Sequence, residues 1–323
     1  MCTAISYLSG SHFFGRNLDL EYSYQESVTI TPRDFPFKYR KIPAMNHHYA
    51  MIGIATVADG YPLYYDATNE YGLSMAGLNF PGNAVYYDFD VNKNNVTPFE
   101  FIPWVLSQCK TVMQARELIS KTNLVNIPFS DDYPLSPLHW MITDRNESIV
   151  IEPIVAGITV FDNPVGVLTN NPPFDFHMYH LSNYLHLTHE EPVNRFTNKV
   201  DLAPYSRGMG AIGLPGDLSS SSRFIKAAFT KLNSISDGTF SDDLSQFFHI
   251  LGSVEQQRGC VKANDKFEET VYSSCCDTKK GVYYYTTYAN SQITAVDMHR
   301  EKLESSELKS YRLITQQQIY NQN

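Results

Sequence analysis

An α+β protein, with helices packed outside a pair of mostly antiparallel sheets, is the fold class this 323-residue sequence predicts. Blocks of short segments rich in Ile, Val, Tyr and Thr alternate with pairs of helical segments. Such runs suit layered antiparallel sheets better than a doubly wound βαβ arrangement. Neither an internal repeat nor a linker breaks the pattern, so residues 1–323 read as one domain. With 43% hydrophobic and 13% aromatic residues, the chain has the material for a substantial core.

Segments 3–8, 27–31, 49–57 and 72–78 read as strands, each bounded by Gly, Pro, Asn or Asp. Ser9-Gly10-Ser11 reads as a hairpin turn returning through His12-Phe13-Phe14. Thr97-Pro98-Phe99-Glu100 has the form of a capped helix start with Pro at the first position, running to about Gln108. A second helix, 111–121, places Val112, Ala115, Leu118 and Ile119 on one face. After a loop with Pro128, Pro134 and Pro137, strands are expected at 138–143, 148–152, 158–161 and 167–169. A helix at 175–187, a loop rich in Asn, Pro and Gly over about 188–219, and helices at 221–233 and 241–253 follow. Strands at 269–275, 281–288 and 292–297 precede a polar tail from about 301, expected to be peripheral.

The formal charge of −9 argues against nucleic acid as a partner, because phosphate binding needs a basic surface. No secretory signal is expected, since Cys2-Thr3-Ala4-Ile5-Ser6-Tyr7 alternates like a strand. No apolar run approaches the roughly 18–20 residues that span a bilayer, and a cytoplasmic protein is expected. The five cysteines have neither scaffold nor zinc spacing, and Cys109, Cys260, Cys275 and Cys276 read as apolar fillers. Gly-rich phosphate loop, H-E-x-x-H and G-x-S-x-G are absent from the sequence. Neither a cofactor nor a metal is expected.

Cys2 is the exception among the cysteines, because removal of Met1 would make it the chain terminus. A thiol and an α-amine would then sit on one residue, and a terminal amine can act as base for its own side chain. Position 2 also tolerates many residue types. Arg16 and Asp19, in Gly15-Arg16-Asn17-Leu18-Asp19, have the right chemistry for such a nucleophile: a cation favouring the thiolate and a carboxylate holding the amine. Residues three apart on a strand face opposite sides, so a shared role predicts a bend or bulge near Asn17-Leu18; an ordinary surface Arg–Asp pair is the other reading. Asn79 and Asn170 each end an apolar strand before a proline turn, where amide N–H groups can form an oxyanion hole or simply serve turn chemistry. Arg223 in the first turn of a helix opposes the helix dipole, which predicts a specific anionic partner.

Cys2, Gly15-Arg16-Asn17-Leu18-Asp19, Gly77-Leu78-Asn79-Phe80, Leu168-Thr169-Asn170 and Ser222-Arg223-Phe224, in this order and spacing, resemble the choloylglycine hydrolase family. Within it the chain is most similar to bile salt hydrolases, with penicillin V acylases as sister group. The similarity extends through Leu138-His139-Trp140, Gly213-Leu214-Pro215-Gly216-Asp217 and Gly281-Val282-Tyr283-Tyr284-Tyr285. The resemblance implies an N-terminal nucleophile hydrolase: a four-layer αββα sandwich, a homotetramer, and cleavage of the amide joining a bile acid to glycine or taurine. By motif it assigns catalysis to Cys2, Arg16, Asp19, Asn79, Asn170 and Arg223. Asn171 beside Asn170 leaves open which amide points inward. For a conjugated bile salt the expected substrate contacts are Leu18, Tyr22, Tyr24, Tyr65, Phe129 and Leu138, with Tyr61-Pro62-Leu63-Tyr64-Tyr65 and 129–138 read as pocket loops. A penicillin V acylase and a catalytically silent steroid-binding protein are the alternatives.

Overall fold

The computed structural model describes residues 1–263 and 265–323. In chain order the first strands are β1 (Cys2–Leu8), β2 (His12–Leu20), β3 (Ser27–Thr31), β4 (Met51–Ala58), β5 (Tyr61–Asn69), β6 (Ser74–Asn79) and β7 (Asn94–Val96). Helices α1 (Phe101–Leu106) and α2 (Val112–Ser120) follow, then β8 (Thr122–Leu124), β9 (Leu138–Thr143), β10 (Ser148–Ile154), β11 (Gly157–Asp162) and β12 (Val167–Leu168). The C-terminal part holds α3 (Phe174–Leu181), α4 (Ser220–Asn233), α5 (Phe240–Gly252), β13 (Val261–Ala263), β14 (Lys266–Asp277), β15 (Val282–Thr287), β16 (Asn290–Asp297) and β17 (Lys309–Arg312).

Two large antiparallel sheets carry the molecule. One has the order β12-β1-β2-β14-β15-β16 with β13 beside β14; the other runs β11-β10-β9-β6-β5-β4-β3-β17. Between them lie Ala4 and Phe14 of the first sheet and Ile52, Ile54, Leu78 and Met141 of the second, all buried in one apolar cluster. Helices α4 and α5 cover the outer face of the first sheet, adding Phe224, Ile225, Phe247 and Leu251 to that cluster. Helices α1 and α2 cover the second sheet through Phe101, Val105, Val112 and Ala115. The result is the four-layer αββα sandwich.

Local chemistry explains the element boundaries. The carboxylate of Glu100 reaches back to accept the N–H of Thr97 at 2.9 Å, closing a single 3₁₀ turn, Pro98–Glu100, which leads into α1. Thr111 caps α2 by accepting the N–H of Gln114. Gly15 lies where β2 pairs with β14: a Cβ there would stand 1.9 Å from the carbonyl oxygen of Ser274. Gly15→Ala is therefore expected to cost about 3 kcal/mol, read as a lower midpoint in urea unfolding.

Two expectations need correction. Tyr61-Pro62-Leu63-Tyr64-Tyr65 is not a loop but the start of β5, paired with β4. Pro62 is tolerated because it sits at the strand's beginning, where a ladder donor is least missed. The tail is likewise not wholly peripheral, since β17 pairs with β3 from Lys309↔Ile30 to Arg312↔Ser27. Its polar, exposed residues are those of an edge strand.

Candidate active site

Cys2 opens β1 and stands opposite Leu18 of β2. Successive residues of β2 face opposite sides of the sheet, and every second residue shares a side. Arg16, Leu18 and Leu20 face the space between the sheets together with Cys2, and all four line one cavity. Asn17 faces the helical layer instead, donating to the carbonyl of Leu251 on α5. Asp19 shares that side. Of the bend or bulge expected around Asn17-Leu18, β2 itself shows neither on its β1 side, where pairing runs without interruption from Cys2↔Leu18 to Leu8↔His12; the irregularity lies in the neighbouring β14, whose register skips Val271 opposite Leu18 and Asp19. Arg16 and Asp19 thus flank the strand end from opposite faces, and no bend is needed because a chain terminus is open to both.

On the helical side, Arg223 is fully buried in the first turn of α4. Its Nη1 donates to the carbonyl oxygen of Cys2 at 2.5 Å and to the hydroxyl of Thr3 at 2.6 Å. Its Nη2 donates to Oδ1 of Asn170 at 2.8 Å, and Asp19 Oδ2 lies 3.9 Å from Nη1. Burial lowers the Arg223 pKa, while Asp19 and the sulfur of Cys2 oppose that shift. Asp19 is the anion that a cation at this helix start called for. Burial pushes the pKa of Asp19 up, against Arg223, the ammonium of Met1, Thr270 and Arg16.

Asn170 connects Arg223 to the nucleophile. Its Oδ1 accepts from the nitrogen of Cys2 at 2.8 Å, and its Nδ2 donates to the backbone oxygen of Asn79 at 2.7 Å. Two donors on one side and a carbonyl on the other fix which amide atom is oxygen. Its backbone is held as well: the N–H reaches Ser220 Oγ at 2.8 Å, and His177 Nε2 meets the carbonyl at 2.9 Å. Burial lowers the His177 pKa to about 4, so the neutral ring donates. Asn171 points elsewhere, to the carbonyl of Pro81 at 2.6 Å.

On the cavity side, β5 and β6 part after Asp66↔Ala76, and the register of β5 skips Tyr65. The carbonyls freed there, Tyr65 at 3.1 Å and Gly77 at 2.5 Å, accept Arg16 Nη1. Burial lowers the pKa of Arg16, yet its ionisable neighbours, Cys2 first and then Tyr272, Asp66 and Asp19, outweigh burial and raise it. Phe80 N–H bonds the carbonyl of Pro137 at 2.7 Å, which makes Asn79↔Leu138 a non-hydrogen-bonded pair. The peptide groups of Asn79 therefore point away from β9, toward the side where Asn170 meets them.

The cavity has a volume of about 250 Å³. Leu18, Tyr24, Tyr65, Phe129 and Leu138 line it, as do Arg16 and Asn79. Tyr22 does not line it: β2 ends at Leu20, and the exposed Tyr22 bonds the hydroxyl of Tyr24 at 2.8 Å instead. Tyr133 and Leu135 come from the segment expected to border the pocket, whereas Leu20, Ile102 and Trp140 join the apolar wall without having been anticipated. Leu20 was readable from the alternation Arg16, Leu18, Leu20; the others come from distant elements. The loop between β8 and β9 is pinned by Arg40 Nη2 on the Phe129 carbonyl at 2.8 Å and by Tyr86 OH on that of Ser136 at 2.6 Å.

A thiol at the end of an apolar cavity, carboxamide and peptide donors beside it and buried arginines around it form a site for acyl transfer. Among the described residues, no group of His, Cys, Asp and Glu is placed to hold a metal ion. No helix among them is long and apolar enough to cross a membrane.

Comparison with known proteins agrees with this chemistry. The family described as linear amide C–N hydrolases, choloylglycine hydrolase family, matches residues 2–311. The chain is 58% identical, over the full length of both chains, to the bile salt hydrolase/transferase of Lactiplantibacillus plantarum. A mutant of the conjugated bile acid hydrolase from Clostridium perfringens has a similar structure, with a TM-score of 0.93 at 38% identity and complete coverage of both chains. The penicillin V acylase of Agrobacterium tumefaciens shares the fold, with a TM-score of 0.74 at 18% identity over 96% of this chain and 90% of that one.

Proposed function

The chain belongs to the choloylglycine hydrolase family of linear amide C–N hydrolases, and from that premise we propose that it releases glycine or taurine from conjugated bile salts. The observation that carries this reading is the placement of Cys2 at the end of an apolar cavity shared with Arg16 and Asn79. The relative at 58% identity is named a bile salt hydrolase/transferase.

With Met1 in place, the nitrogen of Cys2 is a peptide N–H and has no lone pair to act as base. Removal of Met1 frees an α-amine beside Asn170, which keeps accepting from it. Asp19 Oδ2, buried and without a hydrogen-bond partner among the described residues, is the carboxylate for the resulting ammonium. The amine takes the thiol proton, and the thiolate attacks the amide carbonyl. The second hydrogen of Asn170 Nδ2 and an N–H of Asn79 receive the oxyanion, and Arg16 and Arg223 stabilise the negative charge. The ammonium protonates the departing amine, and water then hydrolyses the thioester, returning the thiol. Asn170→Ala is expected to lower kcat by roughly 10²–10³-fold; a loss of only a few-fold would remove Asn170 from the oxyanion site.

The assay that tests the function compares glycine and taurine release with phenoxyacetate release from penicillin V. Predominant release of the amino acids is expected. Predominant phenoxyacetate would make the chain a penicillin V acylase, and steroid binding without alkylation of Cys2 would make it a silent binding protein.

A homotetramer goes with this reading. The segment between α3 and α4 exposes Leu185, Val193, Phe196 and Tyr205, an apolar surface suited to a second copy; a tetrameric mass in light scattering is expected. A cytoplasmic location also goes with it, since all five cysteines are free and the nucleophile must stay reduced.

A further inference from the structure

Asp19 receives one side-chain hydrogen bond among the described residues, from the hydroxyl of Thr270, whose Oγ1 lies 2.7 Å from Oδ1. That hydroxyl is itself oriented. Its oxygen accepts the backbone N–H of Gln256 at 2.8 Å, and the N–H of Thr270 returns a bond to the Gln256 carbonyl at 3.0 Å. A hydroxyl has a single proton to donate. With its oxygen held by an N–H, Thr270 directs that proton at the carboxylate.

The register of β14 on β2 creates the contact. Glu269 pairs with Leu20 and Thr270 with Asp19, and the ladder then skips Val271 before Tyr272 meets Leu18. Residues paired across an antiparallel ladder face the same side, so Thr270 and Asp19 stand together, both buried.

We propose that Thr270 is a positioning residue that keeps Asp19 ionised and aimed at the α-nitrogen of Cys2, thereby setting the acid limit of the reaction. This rests on the role given to Asp19 above. Burial favours the neutral acid, and Thr270 is among the groups that resist it, after Arg223 and the ammonium of Met1 and ahead of Arg16. Glu255, on the segment after α5, and Glu268, on β14, are the other carboxyls nearby, and the charge of Asp19 contributes to raising the pKa of each. A hydrogen bond donated to a carboxylate favours the charged form, so losing it raises the pKa. Activity that needs the carboxylate then fails at a higher pH.

The test uses Thr270→Val, which keeps the branched shape and removes the donor. The acid limb of kcat/KM for a glycine conjugate is expected to move up by about one pH unit. The pH dependence of Cys2 alkylation by iodoacetamide, read by intact mass, is expected to move with it and needs no substrate. Thr270→Ala is expected to show the same shift, which covers the case of a Val variant that does not fold. Thr270→Ser, which restores the hydroxyl, is expected to return both limbs to the wild-type position. Superimposable profiles for wild type and the hydroxyl-free variants, or a Ser variant shifted as far as they are, would overturn the proposal. An alkylation limb that moves in a protein releasing neither glycine nor taurine sustains the role of Thr270 and overturns the substrate reading.

Discussion

Cys2→Ala is expected to reduce hydrolysis of conjugated bile salts by roughly 10⁶-fold, to the limit of detection, while binding of the steroid changes no more than a few-fold. The asymmetry follows from the cavity. Its apolar wall comes from Leu18, Leu20, Ile102, Phe129, Leu138 and Trp140, none of which depends on the sulfur. No other thiol is placed to substitute. Cys109 and Cys276 are buried, and burial pushes each of their pKa values up to about 12. Cys275 is buried beside Cys276 and is also pushed up, while Cys260 is exposed. Measuring kcat together with a steroid dissociation constant separates chemistry from binding. Residual turnover above about a thousandth of wild type would show that Cys2 is not the nucleophile.

Arg223→Met is expected to lower stability by about 3–5 kcal/mol and to abolish turnover at the same time. The guanidinium is fully buried and donates to the carbonyls of Cys2 and Leu218, the hydroxyl of Thr3 and the carboxamide of Asn170. Removing it strands the fully buried carboxylate of Asp19, 3.9 Å away. It also releases Asn170 Oδ1, so the amide that holds the nitrogen of Cys2 is free to turn. Combining Arg223→Met with Asp19→Asn is expected to recover part of the lost stability, because the uncompensated charge disappears, but none of the activity. A thermal midpoint of Arg223→Met within a degree or two of wild type would contradict the burial argument. Equal losses with and without Asp19→Asn would show that the two residues are not coupled.

Much of this was legible before the fold was known, for identifiable reasons. The hairpin at Ser9-Gly10-Ser11 and the helix begun at Thr111 are local signals, written in turn residues and a single amphipathic period. Arg223 stood out because a cation in a first helical turn is unfavourable unless something nearby is negative. What local reading missed depends on partners distant in sequence. Tyr61-Pro62-Leu63-Tyr64-Tyr65 read as a loop, and its pairing with β4 shows only once the sheet exists. The expected bend between Arg16 and Asp19 assumed one face, whereas a strand that begins at the nucleophile serves it from two. Tyr22 shares the character of Tyr24 but lies beyond the end of β2 and turns outward. Thr270 carried no signal at all, since its contact with Asp19 exists only through the register shift at Val271.

The central claim is that Cys2 acts as a chain-terminal nucleophile whose own amine is the base. Intact-mass spectrometry of the enzyme, acid-quenched during turnover of a conjugated bile salt, tests it most directly. The expected result is a single bile-acyl adduct on Cys2, found only in protein lacking Met1. Undiminished turnover by a homogeneous population that keeps Met1, or an acyl group on any other residue, would contradict it.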